Sequence, residues 1–164
     1  MITFRRVFSI SVALACAACA DPDATVNAGA FDRAEFDFVS PVLMARCGSL
    51  DCHGGTYRSY RLHGFGGRRL DPADRPDDAT AVRPAEVDAN YAATLGLEPE
   101  ITARIADGDI DAIGELTIVR KARGSEEHEG GAPFAPDGAG ERCLVSWLAG
   151  RVDEAACADE LQAR

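Results

Sequence analysis

The run Cys47-Gly48-Ser49-Leu50-Asp51-Cys52-His53-Gly54-Gly55 sets two thiols and an imidazole close together in the chain and follows them with a flexible glycine pair. Whatever fold forms has to accommodate those three groups at one place. Two thiols and an adjacent imidazole are the donors that covalent haem attachment uses: each thiol adds to a vinyl group, and the imidazole that follows ligates the iron. The common attachment spacing has two residues between the cysteines, whereas four lie between Cys47 and Cys52. Two other chemistries draw on the same residues. In an exported protein Cys47 and Cys52 can close a short disulfide loop, with His53 as a polar turn residue. Zinc is the third, and no second closely spaced Cys or His pair supports it.

Export is what the start of the chain suggests. Met1 to Arg6 is a short basic region, and Val7 to Ala15 is an apolar run too short to span a bilayer as a mature helix. Small residues then surround Cys16 and Cys19, which resembles a bacterial lipoprotein processing site. Cys16 is the expected lipidated residue and Cys19 the alternative; an ordinary secretory peptide cut after Ala13-Leu14-Ala15 or Ala18-Cys19-Ala20 is the other reading. The expected organisation is a signal peptide over 1–19, a tether over 20–30 and one domain over 31–164, in a periplasmic or outer-membrane lipoprotein held to the membrane by its lipid. Export also defines the redox setting, because disulfides persist outside the cytoplasm. Cys143 and Cys157 have no neighbouring histidine, so a structural disulfide closing a short C-terminal loop is expected for them.

The formal charge of −10 comes from 27 acidic against 17 basic residues. That balance disfavours nucleic acid and anionic lipid surfaces as partners and is compatible with docking to a basic protein. Arg58, Arg61, Arg68 and Arg69 form a local exception. They suit either bidentate bonds to carboxylates of a bound group or pairing within the chain.

Along the chain the periodicity is helical. Phe36 to Arg46 carries Phe36, Phe38, Val39, Val42, Leu43 and Met44 close to one stripe, with Ser40-Pro41 offering a cap and first-turn proline, and Met44 falls to core packing. Residues 71–83 read as a proline- and aspartate-rich surface loop without the spacing of a calcium site. Pro84 opens a helix over Ala85–Leu95 that Gly96 stops, and Pro99 to Ala106 is a second. Ile113, Leu116, Ile118 and Val119 are apolar with no clear local pattern. A polar loop with His128 before Gly130-Gly131 follows. The last helix is expected from a cap near Asp137 to Gly150, burying Leu144, Trp147 and Leu148, with an acidic tail beyond Arg151. No internal repeat and no strong strand alternation occurs, so the expected class is mostly α with long loops.

Taken together, Phe38-Val39-Ser40-Pro41-Val42-Leu43 leading into Cys47, then Cys52-His53-Gly54, Arg68-Arg69-Leu70, Lys121, His128-Glu129-Gly130-Gly131 and Trp147-Leu148-Ala149-Gly150 resemble exported cytochrome-c-like domains of the planctomycete type and related lipoproteins. The resemblance covers residues 36–150. It implies a small helical domain with haem c held by Cys47 and Cys52, His53 as the proximal ligand and a distal ligand from later in the chain. It also implies one-electron transfer with a redox partner rather than catalysis, and no small-molecule substrate. No methionine is placed to be the distal ligand, which leaves His128, with His63 as the alternative. Bis-histidine ligation lowers the potential relative to Met/His. The competing class is a haem-free, disulfide-braced surface lipoprotein that acts as a binding or structural module.

Overall fold

A computed structural model describes residues 31–77 and 83–163. The expected signal peptide, the lipidation residue (Cys16 or Cys19) and the tether over 20–30 lie outside these described residues. Regular structure within them is helical: α1 (Phe36–Cys47), α2 (Pro84–Leu95), α3 (Pro99–Ala106), a 3-10 turn (Ile110–Glu115), α4 (Thr117–Ala122), α5 (Ala139–Leu148) and α6 (Glu154–Gln162). The mostly α class is the one observed. No described helix is long and apolar enough to cross a membrane.

Helix boundaries follow local chemistry where proline and glycine act. Pro84 and Pro99 each occupy a first-turn position, where the missing N–H has no helical partner to lose. Gly96 closes α2, its N–H reaching the Ala92 carbonyl. Two boundaries differ from expectation. Pro41 is inside α1 rather than in its first turn, and Ser40 is buried without capping the helix. At the other end of the chain, α5 starts after Gly138, while Asp137 takes a left-handed φ of 57° and its N–H donates to Glu141. The expected acidic tail is in fact helix α6. Asp153 caps it by accepting from the Ala156 N–H, and Ala156, Cys157 and Glu160 turn inward.

α1 packs against α2, α5 and α6, and Trp147 of α5 fills the space between them. Its indole lies 4.7 Å from Phe36, 5.8 Å from Phe31 and 5.9 Å from Tyr91, ring centre to ring centre. The indole N–H donates to the Asp32 carbonyl at 3.0 Å, so this large ring is buried without leaving its donor unpaired. Cys143 and Cys157 form the expected disulfide, tying α6 to α5. On its other side α6 holds α1 through Glu160, which meets Arg46 at 2.5 Å.

Among the described residues between α1 and α2 the chain makes turns and one isolated bridge, His63 to Arg68, and so has few repeating backbone bonds of its own. Packing at its centre is tight: a Cβ at Gly54 or Gly67 would run into the Gly48 carbonyl, so only glycine fits at either. Two buried polar residues of α2 supply the missing backbone partners. The Asn90 side-chain carbonyl accepts the His63 N–H at 2.7 Å, while its NH2 donates to the His63 carbonyl at 2.9 Å and to Ser40 Oγ at 3.1 Å. The Glu86 carboxylate, fully buried, takes the Arg69 guanidinium at 2.7 Å and the N–H groups of Leu70 and Arg83, each at 3.2 Å. Burial alone would raise its pKa, but Arg69 and those backbone donors outweigh it and hold the carboxyl below its ordinary value.

Because the folded-state value is depressed, this stabilisation is fully present above the ordinary glutamate value of 4.5 and is lost as pH falls through the folded-state value. Urea denaturation is expected to give Glu86→Gln a loss of about 2–4 kcal/mol at pH 7, since it removes the nearer carboxylate from the buried Arg69 guanidinium and leaves Asp74 at 3.7 Å. The loss shrinks as pH drops below 4.5.

Candidate functional site

The end of α1 delivers Cys47, and the chain then folds back on itself. The His53 N–H donates to the Cys47 carbonyl at 2.9 Å, and the Cys52 and Gly54 N–H groups both donate to the Ser49 carbonyl, at 3.0 and 2.9 Å. This turn brings Cys47, Cys52 and His53 to the wall of one cavity of about 310 Å³. Leu97, Ile118, Ala122 and Phe134 give the cavity an apolar side, and His128 lines it from the loop after α4.

The two imidazoles face one another. Their ring centres are 5.9 Å apart and their planes differ by 15°. His53 Nδ1 is 3.0 Å from the Tyr60 carbonyl, and His128 Nδ1 is 3.0 Å from the Gly131 carbonyl. A carbonyl oxygen only accepts, so each Nδ1 carries a proton, and in the neutral form of such a ring the lone pair is on Nε2. That is the tautomer that metal-ligating histidines adopt when a backbone carbonyl orients them. His128 is further shaped by its own turn, in which the Gly131 N–H returns to the His128 carbonyl at 2.8 Å. The ring lies over Gly130, where a Cβ would come within 3.0 Å of Cε1. The glycine therefore makes room for the imidazole.

The pKa of His53 lies below the usual histidine value. Burial is the main cause, with His128, Arg58 and Lys121 acting in the same direction and the Tyr60 carbonyl opposing them. Neutral pH accordingly leaves its Nε2 free to ligate. Cys47 and Cys52 are both free thiols, so the short disulfide that the sequence allowed is not formed, in contrast to Cys143 and Cys157. Burial and the neighbouring Cys52 push the Cys47 thiol up to about 12, against a small opposing effect from Arg46.

His63 is not part of this arrangement. It does not line the cavity, its backbone is clamped by Asn90, and its buried Nδ1 makes no hydrogen bond. Met44 is buried beside Gly48, Gly64 and Gly67 and packs the core, as its position in α1 suggested. The four arginines divide. Arg69 is committed to Glu86 inside the fold, whereas Arg58 lines the cavity and pairs with Glu129 at 2.7 Å. Arg61 donates to the Arg58 carbonyl at 2.9 Å, and Arg68 is exposed. Lys121 also lines the cavity and reaches Glu126 at 3.3 Å, a placement that its spacing in the sequence did not reveal.

Among the described residues no group of three or more His, Cys, Asp or Glu is placed to hold a metal ion, which leaves the zinc reading without a donor set. Two imidazoles alone suit a metal whose other ligands come from elsewhere. Two thiols, two imidazoles whose Nδ1 atoms are held by backbone carbonyls, and an apolar wall are the groups that would hold a haem. Compared with known proteins, the chain matches no family model, no curated protein and no solved structure.

Alkylation of the reduced, haem-free chain checks the thiol environments. Iodoacetamide at pH 8 is expected to label Cys52 several-fold faster than Cys47, because a pKa pushed up to about 12 keeps the half-buried Cys47 protonated. Peptide mapping that found equal rates would contradict the raised pKa of Cys47.

Proposed function

We propose that this chain is an exported, lipid-anchored cytochrome-c-like domain in which Cys47 and Cys52 would hold haem covalently and His53 and His128 would ligate its iron, and that it passes single electrons to a partner protein. The observation that carries the reading is the facing imidazole pair, each Nδ1 tied to a backbone carbonyl, beside two unpaired thiols. Bound haem would supply a one-electron ferric/ferrous couple.

The chain's own residues define the setting of that couple. The carbonyls of Tyr60 and Gly131 hold the two rings in the ligating tautomer, and two imidazoles favour a lower potential than a Met/His pair would. Leu97, Ile118 and Phe134 line the cavity and limit water. Lys121 places positive charge at a cavity in a chain of net charge −10, where it would meet the carboxylates of a haem edge. His128 is preferred to His63 because it alone of the two lines the cavity. Export is supported by the Cys143–Cys157 disulfide, which an oxidising compartment preserves. The acidic surface suits a basic redox partner.

Expression in a periplasm with haem-maturation capacity tests this reading. A c-type pyridine haemochrome at one haem per chain is expected, with a low-spin spectrum. His128→Ala turns the ferric spectrum high-spin, while His63→Ala leaves it unchanged. A colourless product with Cys47 and Cys52 mapped to a common disulfide would overturn the proposal in favour of a haem-free binding or structural module.

A further inference from the structure

Resting on that reading, we infer that the Arg58–Glu129 ion pair is a latch that closes the His128 loop over the His53 loop and thereby controls access of small ligands to the distal side of the cavity. Arg58 Nη2 meets Glu129 Oε2 at 2.7 Å across 71 residues of sequence. Arg58 follows His53 in the loop after α1, and Glu129 is the residue next to His128. The pair thus joins the two segments that carry the facing rings, at the rim of the cavity that both line.

Each loop is anchored at its own base by separate bonds. The Leu62 N–H donates to the His53 carbonyl at 2.8 Å, which fixes the first loop within itself. The second is held where the Phe134 N–H reaches the Ala122 carbonyl at 2.9 Å and the Ser125 N–H reaches the Arg120 carbonyl, also at 2.9 Å. Arg120 adds a 2.8 Å bond to Glu126. None of these crosses from one loop to the other. At its tip, the second loop is closed locally by the His128–Gly131 turn, so the tip can move as a unit without disturbing either base. Glu129 is four-fifths exposed and Arg58 more than a third exposed, so solvent and salt reach the pair directly. A contact of that kind is weak in a fold and effective as a gate, because its loss moves one turn and leaves the core intact.

The test compares the full chain with Arg58→Glu, Glu129→Arg and the exchanged double variant, in two measurements. Amide hydrogen exchange over residues 126–131 is followed in the haem-free protein. Uptake of external imidazole is followed by absorbance in the haem-loaded protein. Either single variant is expected to speed both by roughly two- to fivefold, the range that an exposed ion pair supports, with the denaturation midpoint unchanged. The exchanged pair returns both rates toward the parent. High salt speeds the parent and slows the single variants, because it screens the attraction in the one and the like-charge repulsion in the others. Unchanged exchange over 126–131 in the single variants, or an exchanged pair that behaves like them, overturns the latch. A colourless preparation removes the haem reading alone, since amide exchange still judges the latch. A pigmented protein with unaltered exchange removes the latch alone.

Discussion

The grip of α2 on the irregular segment after α1 is the constraint on which the site depends. A long stretch without helix or strand leaves its backbone groups to find partners singly, and a buried one left unpaired is costly. Asn90 satisfies both the N–H and the carbonyl of His63, and Glu86 takes two backbone N–H groups together with Arg69. Burying that carboxylate is tolerable because a guanidinium and two amides surround it. With residues 63–70 pinned, the Arg68 N–H bonds the Gly54 carbonyl at 3.1 Å, which fixes the position of the Cys-His turn beside the end of α1. His63 and Arg69 are drawn into this framework and away from the cavity.

The opposite wall is assembled by a different device. The Glu98 carboxylate, just ahead of α3, accepts the Thr117 N–H at 2.6 Å and the Thr117 hydroxyl at 2.8 Å, so it caps α4 from a distance in sequence. That contact sets Ile118 and Lys121 along the cavity and directs the following loop, with His128, back toward His53. Trp147 and the Cys143–Cys157 bridge hold α5 and α6 behind this arrangement. The two histidine-bearing loops are thus fixed from opposite sides of the molecule and meet at the cavity.

Much of the helical frame was legible in the sequence because it is written by residues with strong backbone preferences. Pro84, Gly96 and Pro99 mark α2 and α3 within a residue of their observed limits. The late cysteines paired as their context implied, and His128 rather than His63 came to lie beside His53. What escaped was tertiary in origin. α6 is rich in alanine and acid and has no apolar stripe of its own, so its helicity depends on the disulfide, the Asp153 cap and the Arg46 contact. The Ile113–Val119 region breaks into a 3-10 turn and a short helix because Glu98 caps Thr117 from outside the segment. Glu86 and Asn90 are polar residues of α2 whose burial no local pattern in the sequence announces. The partners that orient the two imidazoles are backbone carbonyls of Tyr60 and Gly131, which carry no side-chain signature at all.

On the function we propose, the turn at Cys47, Cys52 and His53 would carry a covalently bound haem beside His128. Mass spectrometry of a proteolytic digest of the haem-matured, full-length protein, made after denaturation, tests it most directly. The account predicts a single peptide spanning Cys47 to His53 whose mass exceeds that of the bare sequence by one haem, with Cys143 and Cys157 recovered as a disulfide-linked pair. Recovery of the Cys47 to His53 peptide at its unmodified mass, or with its two cysteines joined to each other, would contradict it.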